Sequence, residues 1–546
     1  MPNLKLRKPQ LLAACAALTA VCAAQAQTLP AVPSGLLPST AASAPVAGVP
    51  AQLLGAAQVA PRTGTYVVPS VAVLATQTSN ATLGTGSPAR SDTVLQVLPR
   101  LFLQSSHARW RLDGNLGLSG TYYAAGVEPN LVTPDGNARL HSEWVKNLLF
   151  VDAGFGASQQ SVSPYQGAGG PVQGSRYTTT QWHVAPYIER MLEPGLRLLV
   201  RSDDTWTHTS NTPSQSTVSG GRYLDQRLLL ERAPTPIGYG LDLRQLYSTY
   251  DNEPYAWLRD TTLRASAGVA VAPHLVLSVI AGHEKVQAYT AQQSDTLYGV
   301  RAQWRPSPVT HLDATVEHRF FGTGWLLRLH GGGPRARLSL RWSRDATSGL
   351  APLGSGQTAQ SNLGTLLDGL LAAQIPDPLQ RARMVQQLLG EAGLPAGLQT
   401  AGGYYTSSSI LRNDLVLTAA LLRVRDSFAL SLYRSRVQDL FLPGQGVLRL
   451  LQLTSNDNVQ TGAAFNYGHR LSPLDNLNLT LQDELDSGFG PNQGRSARQR
   501  SLIVQIDHRM SPRTTALVGL RRQLLSSTLV LGGTETAVFA GLVHRF

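Results

Sequence analysis

Cysteine is almost absent from this chain of 546 residues: there are two, Cys15 and Cys22, and both fall in an N-terminal stretch that reads as a cleaved export signal. The mature chain then has no thiol and no disulfide, which excludes Cys-ligated zinc, Cys nucleophiles and thiol redox motifs. Long apolar runs are missing too. Although 42% of residues are hydrophobic, no stretch after Gln27 approaches the roughly 18 to 20 apolar residues that a spanning helix needs. Aromatics, at 7%, are sparse for two interfacial girdles. An integral membrane protein with these shortages has to cross as a closed sheet, because in lipid every backbone polar group must be satisfied within the protein.

The two ends agree with that reading. Lys5, Arg7 and Lys8 form a basic region, residues 11–24 an apolar one, and Ala24-Gln25-Ala26 a small-residue cleavage site, so residues 1–26 read as a secretory signal. The lipoprotein alternative, Leu12-Ala13-Ala14-Cys15, would leave only four apolar residues after Gln10. Loss of Lys5, Arg7 and Lys8, with no acid in residues 1–26, takes the formal charge from +12 to +9. A basic, Arg-rich chain is compatible with nucleic-acid binding, but the export signal and the spread of Arg over alternating positions argue against nucleic acid as a partner. At the other end Val538, Ala540, Leu542 and His544 share one face and the chain closes on Phe546. This resembles the terminal strand that bacterial outer-membrane barrels present to their assembly machinery, with Leu542 and Phe546 as the recognition residues and outer-membrane lipid as the solvent.

Residues 27–61 are rich in Ala, Pro, Ser and Gly without a period and read as a flexible periplasmic leader. From 62 to 546 the chain breaks into segments with two-residue alternation separated by turn chemistry. Three of these turns share Ser-Pro, at Ser472-Pro473, Ser511-Pro512 and Ser307-Pro308; proline presets the turn dihedral and cannot donate within a ladder. Counting back from Phe546 puts ten tight turns on one rim and mostly long polar loops, up to 346–405, on the other. The expected fold is all-β: a transmembrane, up-and-down antiparallel β-barrel of about 22 strands, 20 to 22 being compatible, with both termini in the periplasm.

The alternation also assigns faces. In 335–345 the odd positions are polar and the even ones, Leu338, Leu340 and Trp342 among them, are largely apolar. With 311–321, 324–331 and 335–345 as consecutive strands, the inward side chains include Asp313, Glu317, Arg319, Arg328, His330, Arg335, Arg337, Arg341 and Asp345. Strands about 4.8 Å apart let these reach one another. Two readings stay open: a charge lattice that stiffens the wall, and an electropositive lining that favours anionic solutes or polymers.

Catalytic patterns do not rise above background. His283-Glu284 lacks the second His of a zincin helix and reads as a solvated pair. Asp203-Asp204 with His208 lacks the spacing of an oxygen cage and reads as a charged strand end. No G-x-S-x-G elbow is present. The chain is read as no enzyme, with no metal site and no cofactor.

One loop is distinctive. Asp377 as N-cap, Pro378 at the first helical position, apolar Leu379, Val385 and Leu388, and Gly393 at the stop predict a short amphipathic helix over about 378–391. An apolar helix in an outward loop is a liability unless it packs onto something, so Leu379, Val385 and Leu388 are expected to fold back across the mouth as a gate. This insert, with Arg412-Asn-Asp-Leu-Val-Leu-Thr and Phe428-Ala-Leu-Ser-Leu-Tyr-Arg-Ser-Arg436 after it, is similar to the PEP-CTERM system-associated outer-membrane proteins, most specifically over 366–439. That resemblance implies a bacterium that makes exopolysaccharide and sorts surface proteins with an exosortase, with exported polysaccharide or PEP-CTERM proteins as partners; it implies no settled activity. The function expected is a channel or assembly component, the alternative a non-conducting surface barrel whose loops bind matrix polymer or partner proteins.

Overall fold

The computed structural model describes residues 64–85, 87–161, 163–166, 176–210, 219–251, 257–289, 291–307, 309–333, 335–350, 408–440 and 456–546. The expected signal, the leader and the helix at about 378–391 lie outside these residues.

Twenty-two strands follow one another along the chain. The first eight are β1 (Gly64–Thr78), β2 (Asp92–Ser106), β3 (Trp110–Tyr123), β4 (Leu131–Val145), β5 (Leu149–Ser161), β6 (Arg176–Glu193), β7 (Leu196–Ser210) and β8 (Gly221–Arg232). Then come β9 (Ile237–Tyr250), β10 (Leu258–Ala272), β11 (Leu275–Ala288), β12 (Ala291–Ser307), β13 (Thr310–Arg319), β14 (Gly322–Gly332) and β15 (Ala336–Ser348). The last are β16 (Ser409–Leu422), β17 (Asp426–Asp439), β18 (Asn458–Arg470), β19 (Asp475–Gly488), β20 (Ser496–Ser511), β21 (Thr514–Ser527) and β22 (Gly533–Arg545). Each pairs antiparallel with its neighbours, and β22 pairs back onto β1 from Ser70↔Arg545 to Thr78↔Ala537. The sheet is closed and has no edge.

Ten connections of two to four residues lie on the rim that carries Gly64 and Arg545. The longest connection, residues 349–408, lies on the opposite rim. Short turns belong to the periplasmic rim and long loops to the outer one, so the tight rim is periplasmic. Between the strands expected at 311–321 and 324–331 the chain turns about two residues earlier, from Arg319 to Gly322, where Gly322 takes φ +92°. Arg335 lies in the turn before β15 rather than in the strand. Among the described residues the helical pieces are two 3-10 turns, Pro164–Gln166 and Gly490–Asn492.

Strand registers keep one parity round the ring, so each strand presents one face outward and one inward. The outward set is apolar and exposed: Val316, Leu338, Trp342, Leu432, Leu520, Val538 and Leu542 among others. In a bilayer that belt meets lipid. Inward, an apolar cluster of Ala72, Leu74, Leu98, Leu517, Phe539 and Val543 sits at the closure between β21, β22, β1 and β2. At 22 strands the lumen is too wide for wall side chains to fill, so most inward positions are polar.

Candidate functional site: the lumen wall

The residues expected inward from β13 to β15 do share one face. Asp313 stands opposite Arg328, and Arg328 opposite Arg341; His311 stands opposite His330, with ring centroids 4.7 Å apart. Arg337 pairs with Gly332 and Ala420 in register.

Their environments divide them. Arg319 is a hub: its guanidinium donates to Glu284, to Asp345 at 2.6 Å and to Asp260 at 3.3 Å. Glu317 accepts from Arg264 at 3.2 Å. Asp313 accepts from Gln303 at 2.9 Å, with Arg301 3.9 Å away. These groups form a lattice, and it continues along the adjoining strands β9 to β5. Arg201 donates to Asp152 at 2.9 Å and Asp203 at 2.8 Å, Arg227 to Asp242 at 2.8 Å, and Arg244 to Asp225 at 2.6 Å. Side-chain networks of this kind fix strand positions because they tie strands together: Asp152 accepts from Arg201 and meets His141, and Glu284 accepts from Thr262 and Arg319, in each case on two other strands.

Arg328, Arg337 and Arg341 are different. Among the described residues none of them has an acidic partner within ion-pair distance, and one terminal nitrogen of the buried Arg337 has no hydrogen bond. Arg328 faces Arg341 directly across the β14–β15 ladder, an arrangement that is unfavourable for like charges and that an anion in the lumen would relieve. Glu317 and Arg319 thus belong to the lattice, whereas Arg328, Arg337 and Arg341 stand outside it.

The outer mouth is narrowed by inward-turning loops. The turn at Pro164–Gln166, between β5 and β6, reaches the far wall: Tyr165 donates its hydroxyl to the carbonyl of Asp457 at 3.3 Å, and Ser527 donates to the Tyr165 carbonyl at 2.6 Å. Leu350, just past β15, is fully buried against Tyr177, Tyr223, Leu246 and Tyr250 of β6, β8 and β9. The Tyr250 hydroxyl and Ser348 Oγ lie 2.7 Å apart. Thus the described start of the longest loop turns into the lumen. Ala81, in the loop after β1, packs on Val94 and Tyr123 in the same sense.

Sequence reasoning missed Glu284. Alternation places exposed His283 outward, 2.8 Å from Ser294, and Glu284 inward with no exposure, so the two never act as a solvated pair. Asp203 and Asp204 likewise part company, Asp203 joining Arg201 inside and Asp204 meeting Arg222 outside. Among the described residues no group of three or more His, Cys, Asp or Glu is placed to hold a metal. The inward parity of Glu284 could have been read from the sequence; its partners, Thr262 on β10 and Arg319 on β13, could not.

No protein-family model matches the sequence, and no curated protein does. Solved structures similar to the chain include the siderophore receptor PiuA of Acinetobacter baumannii, at 6% identity over 90% of this chain and 82% of that one, with a TM-score of 0.46. A mutant of the ferric enterobactin receptor PfeA of Pseudomonas aeruginosa is 9% identical over 89% and 81%, with a TM-score of 0.45. OpdK of Pseudomonas aeruginosa, solved with vanillate, is 9% identical over 88% and 99%, with a TM-score of 0.34. Closure of the sheet, the outward apolar belt and the asymmetry of the two rims make this chain a β-barrel of the bacterial outer membrane.

Proposed function

We propose that the barrel is a channel or assembly component for exported anionic material, serving exopolysaccharide production and the sorting of surface proteins. The observation that carries the transport half is the opposed pair Arg328 and Arg341, two inward guanidiniums with no acidic group within ion-pair distance among the described residues. Rings or clusters of arginine lower the electrostatic cost of an anion in a pore. What supports the pathway half is the resemblance over 366–439 alone.

The test is conductance of the purified barrel in planar bilayers under a salt gradient. The proposal expects a reversal potential of anion-selective sign that moves toward the cation side in the double variant Arg328→Ala, Arg341→Ala. Conductance without anion preference, or unmoved by the variant, would overturn it.

A second reading, a non-conducting surface barrel, is favoured by the tie of Tyr165 to the far wall and by the burial of Leu350. Absence of conductance in both the native barrel and a deletion of residues 360–398 would favour that reading. The expected gate at Leu379, Val385 and Leu388 belongs to the first: deletion of 360–398 then raises conductance without preventing assembly.

A further inference from the structure

The outward face of the barrel is not uniformly apolar. Along β15 to β21 six arginines point away from the lumen, each within about five residues of the outer end of its strand: Arg344, Arg434, Arg436, Arg498, Arg500 and Arg522. The single acid on that part of the outward face is Asp483, which accepts from Arg498 at 2.7 and 2.9 Å and lies 3.4 Å from Arg500. Arg436 rests over the ring of Phe489 at 4.2 Å, and Arg344 over Trp325 at 5.5 Å. Arg434 and Arg522 are exposed and have no acidic partner among the described residues.

Register turns this list into a site. Arg434 continues across the ladders through Thr461 and Leu485 to Arg498, a span of three strand spacings, or about 14 Å. Arg344 and Arg436 are separated by Asn413 alone, about 10 Å. Two arginine banks therefore flank a trough on β18 and β19 whose outward residues include Val459, Thr461, Ala463, Leu481 and Leu485, with Asp483 at its edge against Arg498 and Arg500. Just below, toward the periplasm, the same wall carries exposed Leu432, Leu502, Val518 and Leu520.

We propose that this trough binds a phosphate-bearing lipid of the outer leaflet, with phosphates on the two banks and acyl chains on the apolar strip beneath. A guanidinium at the edge of hydrocarbon is costly without a counter-charge, and its planar fork matches phosphate in a bidentate fashion. The separation of the banks selects a lipid with more than one phosphate. The continuous apolar strip below selects a lipid over a soluble anion. On the opposite wall β8 to β10 carry two outward arginines near the outer rim, Arg222 beside Asp204 at 2.9 Å and Arg259 over Tyr247 at 5.2 Å, so among the described residues no second bank faces them across a trough.

The experiment measures retention of lipid A, and of lipid A stripped of its phosphates, by the purified full barrel in native mass spectrometry. Lipid A is expected to be retained and the dephosphorylated lipid lost. The variant Arg434→Ala, Arg436→Ala, Arg498→Ala, Arg500→Ala should lower retention at least tenfold, whereas Arg222→Ala with Arg259→Ala should leave it unchanged. Heat-modifiable mobility reports folding of each variant. Should the alanine variant fail to fold, the lysine variant at the same four positions keeps the charge but not the fork and is expected to retain an intermediate amount. Equal retention of both lipids, full retention by the folded four-position variants, equal loss on the opposite wall, or displacement by excess inorganic phosphate would each overturn the proposal.

Discussion

Phe539 of β22 stands across from Gly519 of β21, the tip of its ring occupying the place where any Cβ at position 519 would stand. The carbonyl of Val504 crowds the same spot at 2.6 Å. Gly519→Ala should therefore push the ring off the wall and loosen the apolar cluster at the closure, at about 1 to 3 kcal/mol. Urea unfolding in lipid, followed by gel mobility, reads this. Unchanged stability would mean that Phe539 moves aside without loss.

Phe546 donates its backbone N–H to the carbonyl of Pro69 at 3.0 Å and leaves its ring outward and exposed. It thus belongs to the last rung of the closing pair and to the outward surface of the terminal strand. Deleting Phe546 should leave the chain in the periplasm, degraded or misfolded. A normal amount of heat-modifiable barrel in outer-membrane fractions would speak against that role.

Leu340 and Ser339 are neighbours in β15 with opposite surroundings. Leu340 lies outward between Leu329 and Leu417, while Ser339 lies inward between His330 and Thr418. Leu340→Arg should cost roughly 2 to 4 kcal/mol of insertion stability, and Ser339→Arg should be tolerated in a wide lumen. Equal tolerance in a lipid-refolding titration would mean that the faces are reversed.

Glu284 is completely buried and accepts from Arg319 and from the backbone N–H of Phe320 at 3.2 Å. Glu284→Ala should destabilise the barrel by about 3 kcal/mol, the lower end for breaking a buried pair, because Asp260 and Asp345 continue to face Arg319. Glu284→Gln should cost less, since the amide oxygen can accept from one donor. A neutral effect of both in denaturant titrations would remove Arg319 from the list of wall-fixing residues.

Strand order, rim assignment and faces were legible because each has a local cause. Proline in Ser472-Pro473 and Ser511-Pro512 stops a ladder within its own hairpin, and period-two alternation assigns Leu340 and Ser339 without knowledge of neighbours. The division of the inward charges was not legible. Whether Arg319 is paired and Arg328 is not depends on registers spanning β10 to β15, where one residue of slip would exchange partners. The partners of Glu284, Thr262 and Arg319, were hidden for the same reason, lying 22 and 35 residues away along the chain. The inward turn of Leu350 depends on tyrosines of β6, β8 and β9 on the far wall, contacts that no local pattern encodes. The likeness over 366–439 touches the described structure only in its last part, β16 and β17, so the insert that makes it specific lies outside the described residues.

The closing pair has a consequence in time. Thr78 donates its hydroxyl to Glu535 at 2.7 Å across 457 residues of chain, so the first strand has to wait, with its hydrogen-bonding edge open, until almost the whole polypeptide has been delivered. No finished half of this molecule exists to fold early and wait for the other. Every copy must pass through the periplasm as an unclosed sheet-former whose open edge has to be kept from pairing with another chain.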